Sequence, residues 1–278
     1  MTRIGLIQLN STDTPEENLR EMLNGIDEAA ADGAKFVLTP EVSNCLSLSR
    51  SHQNDVLTLE EDDPSLPILC RAAKVHKIWL LIGSLAVKTG DPDGRFANRS
   101  IMIAPDGEIA ARYDKIHMFD VQVSETETFK ESDGYRPGAS TALVQTDFAK
   151  VGMTVCYDIR FPHLHRALAH AGAEIITVPA AFSPVTGEAH WHVLLRARAI
   201  ETGCFVIAPA QTGQHKGRST YGHSLVVAPW GEVLLDMGKA PGVACIDIHL
   251  ADVEKARHRV PALSHDRDFQ PPILTNHE

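Results

Sequence analysis

Apolar and polar positions change period repeatedly along the chain, and the changes divide it into alternating strands and helices. Residues 4–9 are a β-prone run, read as a central strand. Thr14-Pro15-Glu16-Glu17 opens a helix, with Thr14 as cap, Pro15 at the first helical position and Glu17 closing a capping box. Leu19, Met22, Leu23, Ile26 and Ala30 recur on one face, and Gly33 ends the helix. A short strand over 35–39 runs directly into Pro40-Glu41. That strand–helix–strand spacing predicts α/β architecture.

A second helix is predicted over 63–77, capped by Asp63, and a long apolar strand over 78–87. Segments 96–104 and 108–113 flank Pro105-Asp106-Gly107, a hairpin signal, and Lys115 follows the second arm. Residues 116–138 have no clear period, and a loop that long inside a compact domain is usually functional. Strands over 141–146 and 151–155 lead to Cys156. Beyond it, 163–171 reads as helix, 174–179 as strand, and 188–201 as an amphipathic helix with Val193, Leu194, Ala197 and Ile200 on one side. Segments 204–209, 224–228, 233–236 and 243–248 read as strands, and 250–260 as a last helix stopped by Pro261. Strands and helices mix throughout, with no linker or repeat. Residues 1–268 therefore read as one domain and 269–278 as a C-terminal tail.

Composition is ordinary for a globular protein, and a net charge of −10 argues against nucleic acid or an anionic membrane as a partner. The five cysteines are odd in number and scattered, with no Cys-x-x-Cys pair, so neither a disulfide framework nor a zinc ribbon is expected. The first apolar run is too short for a signal peptide, and no stretch has bilayer-spanning length. A reducing cytoplasm is the expected compartment. The pairs His163-x-His165 and His190-x-His192 point to different faces at helical spacing, and no His-Glu-x-x-His occurs, so no metal is expected.

Four residues stand where strand patterns stop or in the long loop: Glu41, Lys115, Glu131 and Cys156. A free thiol, with a pKa of about 8.5, needs a base or a positive field to become a nucleophile. A carboxylate can be that base, and a lysine can stabilise an oxyanion. Each residue also has an ordinary reading: Cys156 as a small apolar filler, Glu41 as a helix cap or surface charge, Lys115 and Glu131 as solvated loop residues.

Leu-Thr-Pro-Glu41, Tyr-Asp-Lys115-Ile-His and Val-Cys156-Tyr-Asp-Ile-Arg-Phe-Pro together resemble, in order and strand-end context, the Glu–Lys–Cys set of the nitrilase superfamily of carbon–nitrogen hydrolases. The resemblance extends from the first strand to about residue 268. It implies a four-layer α-β-β-α sandwich. It also implies Glu41 as general base, Lys115 and the Tyr157 backbone N–H at the oxyanion, Cys156 as nucleophile, and no cofactor. Phe129-Lys130-Glu131-Ser132 resembles the motif of the further glutamate that orients the lysine. Glu188-Ala-His-Trp191, Leu195-Arg-Ala-Arg-Ala-Ile-Glu201 and Ser219-Thr-Tyr-Gly-His-Ser224 are similar to the Nit branch, which holds deaminated glutathione amidases and ω-amidases.

The direct run of Tyr221 into Gly-His-Ser resembles the deaminated glutathione amidases, since ω-amidases tend to carry a few extra residues there, and the resemblance implies an amidase acting on deaminated glutathione. An ω-amidase acting on α-ketoglutaramate, an N-carbamoyl amino-acid hydrolase and a non-catalytic binding homologue are the alternatives. Glu188 and His163 depart from the branch pattern, which usually has Pro and Glu there. Arg160 has two readings, as partner of a substrate carboxylate or as an ion pair within the fold. Thr186 and His190 are either pocket residues or structural. The helix over 188–201 is a candidate homodimer face.

Overall fold

The computed structural model describes residues 1–274 apart from Ser124 and Thr126. Those two, which fall in the long loop, and the expected tail's residues 275–278 lie outside the described residues. Alternation along the first strand sets up the layers. In β1 (Thr2–Gln8), Ile4 and Leu6 join a core cluster that reaches into the second half of the chain. Ile7 joins another cluster with Met22 and Ile26 of α1 (Pro15–Ala31). In β2 (Phe36–Leu38), Phe36 and Leu38 again face the first cluster and Val37 the second.

After α2 (Arg50–Val56) and α3 (Leu66–His76) come β3 (Trp79–Lys88), β4 (Phe96–Ile103) and β5 (Ile109–Asp114), then a short ribbon of β6 (Asp120–Gln122) and β7 (Thr128–Lys130). The second half contains β8 (Ala142–Gln145), β9 (Lys150–Met153), α4 (Pro162–His170), β10 (Ile175–Thr177), α5 (Pro184–Thr202) and β11 (Phe205–Ala208). A second ribbon, β12 (Thr212–His215) and β13 (Arg218–Tyr221), follows. Then come β14 (Leu225–Val227), β15 (Val233–Asp236), β16 (Gly242–Ile248) and α6 (Ala251–Arg259).

One six-stranded sheet has the order β16-β1-β2-β3-β4-β5, the other β15-β14-β11-β10-β9-β8. Strands β1, β2 and β3 run parallel, as do β9, β10 and β11, and the outer strands are antiparallel. Ile4, Leu6, Phe36, Leu38, Leu81 and Met102 of the first sheet share one buried cluster with Val151 and Met153 of the second, so the sheets meet face to face. Helices α1 and α3 cover the outer face of the first sheet. Leu168 of α4 packs over Gly152 of the second, and α5 lies against β11. The result is the four-layer α-β-β-α sandwich. Covering both faces of the central parallel strands is what makes them read as unbroken apolar runs.

Several local expectations shift. Thr14 makes no side-chain cap. Thr12 Oγ1 instead donates to Glu17 (3.2 Å) and accepts the Thr14 N–H (3.1 Å), because buried Asn18 fixes the Thr12 backbone (2.8 Å). The second predicted helix begins at Leu66, with Asp63 accepting the Ser65 and Leu66 N–H groups ahead of it. Helix α2 and both ribbons have no strong period and escaped the pattern. Helix α5 starts at Pro184 and buries Trp191, Leu195, Ala199 and Thr202, spaced by four and three. Of the expected apolar side, Val193 and Ile200 point outward, 66% and 54% exposed, while Leu194 is half-buried against the core and Ala197 is half-buried.

Candidate active site

The first candidate side chain, Glu41, is placed by a turn. Strand β2 ends at Leu38, and the segment carrying Pro40 and Glu41 is laced to β3. Val42 N–H donates to Ser84 Oγ (2.7 Å) and Ser43 N–H to the Ser84 carbonyl (2.9 Å). The β3–β4 register shifts between Ile82 and Leu85, so a bulge receives this turn. The approach is so close that a Cβ on Gly83 would lie 2.0 Å from the Thr39 carbonyl oxygen. Val42 has φ +47°, a left-handed value that a β-branched residue rarely adopts.

Lys115 follows β5, and its backbone N–H donates to the Asn98 carbonyl at 2.9 Å. Its buried Nζ donates at 2.9 Å to Glu41 Oε1 and at 2.9 Å to both carboxylate oxygens of Glu131. Glu131 in turn accepts the Phe119 N–H at 2.6 Å. Asn98 Nδ2 donates to Glu41 Oε1 (2.8 Å), and the Ala181 N–H donates to Glu41 Oε2 (2.8 Å). Glu41 is therefore held at both oxygens by residues from three parts of the chain.

Cys156 opens a single 3-10 turn, Cys156–Arg160, just beyond β9. Its φ is +48°, and its N–H donates to the Pro179 carbonyl at 2.9 Å. Left-handed backbone at a non-glycine residue is strain that only a well-anchored site sustains. The anchor is Asp158, fully buried. It accepts from Val155 N–H (2.9 Å), Tyr113 Oη (2.7 Å) and His117 N–H (3.1 Å), and pairs with His117 Nδ1 (2.7 Å). Tyr113 and His117 flank Lys115, so Asp158 ties the cysteine turn to the lysine segment. Asn98 and Asp158 were missed by the sequence reading. The available signal was a polar residue inside an apolar strand for Asn98, and an acid directly behind an apolar run for Asp158.

The charges settle one another. Burial pushes the Glu41 carboxyl up. The Lys115 charge, with bonds from Lys115 and Asn98 and the neighbouring Cys156 thiol, outweighs it and holds the group below the usual carboxylate range. Burial pulls Lys115 down, but Glu131 and Glu41 hold its ammonium well above the ordinary lysine range. Burial and the Glu41 charge push the Cys156 thiol well above its ordinary value. The resting trio is carboxylate, ammonium and thiol. A thiol against a carboxylate can surrender its proton as it attacks, without a standing thiolate.

These groups open into a cavity of about 320 Å³, a size suited to a small molecule. Glu41, Lys115, Glu131, Cys156, Tyr157 and Thr186 line it, with Val42, Leu46, Phe119, Phe129 and Phe182 as apolar wall. Arg160 and His190 do not line it. Arg160 contacts His190 Nδ1 at 3.3 Å and stands over the rings of Tyr157 (5.8 Å) and Phe182 (5.5 Å), which do. His165 is buried on the Phe161 carbonyl, and His163 stands edge-on to His117. His192 joins His223 around Asp236, which pairs with them at 3.0 and 2.9 Å. These three are the trio of His, Cys or acidic side chains near enough to share a cation among the described residues.

The sequence profile of the carbon-nitrogen hydrolases matches residues 3–258. The chain belongs to that family. It is accordingly a hydrolase of carbon–nitrogen bonds, and the fold agrees. The chain is 37% identical to the deaminated glutathione amidase of Yersinia enterocolitica over 266 residues, 95% of this chain and 92% of that one. It superimposes on the C. elegans NitFhit protein with a TM-score of 0.90 at 34% identity, covering 96% of this chain and 65% of that longer one. It also matches a mutant of an amidase from a Nesterenkonia species (TM-score 0.80, 25% identity, 96% and 94% covered), in which the active-site cysteine carries the acetamide moiety of fluoroacetamide covalently. No helix among the described residues is long and apolar enough to cross a membrane.

Proposed function

We propose that this carbon–nitrogen hydrolase is an amidase that cleaves deaminated glutathione to α-ketoglutarate and cysteinylglycine through a thioester on Cys156. The observation that carries the reading is the meeting of the Cys156 thiol with the Glu41–Lys115 pair inside one cavity. The name of the 37%-identical Yersinia relative supports the substrate.

In this mechanism Cys156 attacks the amide carbonyl as its proton passes to Glu41. Lys115 Nζ and the Tyr157 N–H, one of the first donors of the 3-10 turn, receive the oxyanion. Glu41 then protonates the leaving amine and activates the water that releases the acid. Glu131 holds Lys115 in place, and Asn98 and the Ala181 N–H hold Glu41. Arg160, Thr186 and His190 are assigned to substrate recognition, Thr186 from the wall and the other two from behind it. No cofactor takes part.

Residues 1–268 act as one domain with 269–278 as tail. The pairing of Asp266 with Arg166 and His170 supports that boundary. The chain works as a homodimer or higher homo-oligomer, and the outward Val193 and Ile200 of α5 support this. Five free cysteines fit a reducing cytoplasm. There, returning a deaminated by-product to two usable metabolites is a repair reaction.

The test is a substrate comparison with intact-mass detection. Deaminated glutathione is expected to be hydrolysed with the higher kcat/KM and to leave a transient acyl adduct that Cys156→Ala lacks. Faster ammonia release from α-ketoglutaramate would make the enzyme an ω-amidase instead. Absence of hydrolysis and of any Cys156-dependent labelling would remove the enzymatic reading.

A further inference from the structure

Two arginines line the Cys156 cavity, Arg50 and Arg218. Their protein partners are carbonyls. Arg50 donates Nη1 to Gly134 (2.7 Å) and Nη2 to Gly94, and lies 3.8 Å over the Phe96 ring. Arg218 donates Nη2 to the Ala181 carbonyl (2.6 Å) and lies 5.6 Å from the Phe129 centroid. The contrast with Lys115, clamped between two carboxylates, is plain.

Arg50 spends both Nη groups on loop carbonyls. Arg218 spends one, and its Nε is buried with no partner. A half-buried cation without a counter-charge bears a desolvation cost that an anionic ligand offsets. Lys130 and Asp133 also line the cavity, but both are exposed and of opposite sign. Arg218 reaches the cavity from the β12–β13 ribbon, which belongs to neither main sheet, whereas the reacting side chains sit at strand ends of the sheets. Recognition and chemistry would thus be carried by different elements.

We propose that Arg218 takes a carboxylate of the substrate, so that the cavity selects anionic linear amides. This rests on the amidase reading of the same cavity, and it places the anion site in the wall rather than at Arg160 behind it. A positioning role alone is the competing account, because Ala181, whose carbonyl Arg218 holds, donates its N–H to Glu41.

The experiment compares wild type, Arg218→Met, Arg218→Lys and Arg160→Met on three amides. α-Ketoglutaramate carries its carboxylate on the acyl side, N-butyryl-cysteinylglycine on the leaving side, and butyramide carries none. Arg218→Met is expected to lower kcat/KM for one or both anionic amides by ~10- to 100-fold relative to butyramide, mostly through KM, with partial recovery in Arg218→Lys. An equal loss on all three overturns the proposal in favour of positioning, and a selective loss seen only in Arg160→Met overturns it in favour of Arg160. Calorimetric titration with α-ketoglutarate and with cysteinylglycine gives a readout free of turnover. Equal affinity of wild type and Arg218→Met for both overturns the proposal whether or not any amide is hydrolysed. Failure of the wild type to hydrolyse all amides removes the amidase reading separately.

Discussion

Lys115 carries the electrostatics of the site, because it is a buried cation between two carboxylates. Its charge is what keeps Glu41 ionised against the cost of burial. Glu41's pKa in the folded protein lies below its ordinary value of 4.5, so the base form is present at neutral pH and is lost only as pH falls through that depressed value. Lys115 stays protonated past its ordinary value of 10.5. The kcat/KM profile is therefore expected to be flat above pH 5, with its acid limb below 4.5. In Lys115→Met the attraction is gone and burial dominates, so any residual activity should show an acid limb moved above 4.5. The variant should also lose roughly 3–5 kcal/mol of stability, since it leaves carboxylates buried without their counter-charge. An acid limb near pH 6 in the wild type, or one that Lys115→Met leaves in place, would contradict this account.

At the scale of elements, the groups proposed to react are mounted on the ends of strands, and the turns hold them there. Glu41 depends on the bulge at Gly83 and Ser84, Lys115 on the end of β5, and Cys156 on the 3-10 turn pinned by Asp158. Gly83→Ala would drive a methyl group into the Thr39 and Pro40 carbonyls and into Pro179. It should cost about 1–3 kcal/mol as an overpacked site. It should also lower kcat disproportionately, because the displaced turn is the one carrying Glu41. Denaturant melts and kinetics measured together check this, and normal turnover in a correctly folded Gly83→Ala protein would refute it. Two strand ends were legible because apolar runs stop sharply at Leu38 and Val155, and the arm ending at Tyr113 because Pro105-Asp106-Gly107 marks its hairpin. The β6–β7 and β12–β13 ribbons were not, because strands of three or four residues contain too few alternations to show a period.

For the molecule as a whole, two sheets buried on both faces account for the long apolar runs, and the helices close the outside. Helix α5 leaves Val193 and Ile200 outward, and Ile200 borders a groove with Trp230 and Val260, which are themselves 43% and 55% exposed. Apolar groups gathered in this way on a surface mark an association face. Light scattering after gel filtration should give a multiple of the 30.3 kDa chain mass for the wild type, and Ile200→Glu should shift it toward the monomer. A monomeric wild type would remove the assignment of α5 as the contact face.

Short-range physics makes much of this protein readable from its sequence. Residue periodicity yields the order of the main strands and helices, and punctuation by Pro and Gly locates the turns. The placement of Glu41, Lys115 and Cys156 just beyond three strands makes them candidates, and the resemblance to the nitrilase superfamily, not the placement, joins them into one proposed set. Distances between segments are absent from such a reading. The convergence of Glu41, Asn98, Lys115, Glu131, Cys156 and Ala181 on a single point is a product of sheet packing, register and one bulge. So are the tie from Asp158 to Tyr113 and His117 and the outward turn of Val193. The same holds for the arrival of Arg218, rather than Arg160, in the cavity wall. Local propensities act over a few residues, while these contacts span up to 140 residues of chain, as between Glu41 and Ala181. Only the folded arrangement of whole layers brings such partners within hydrogen-bonding distance.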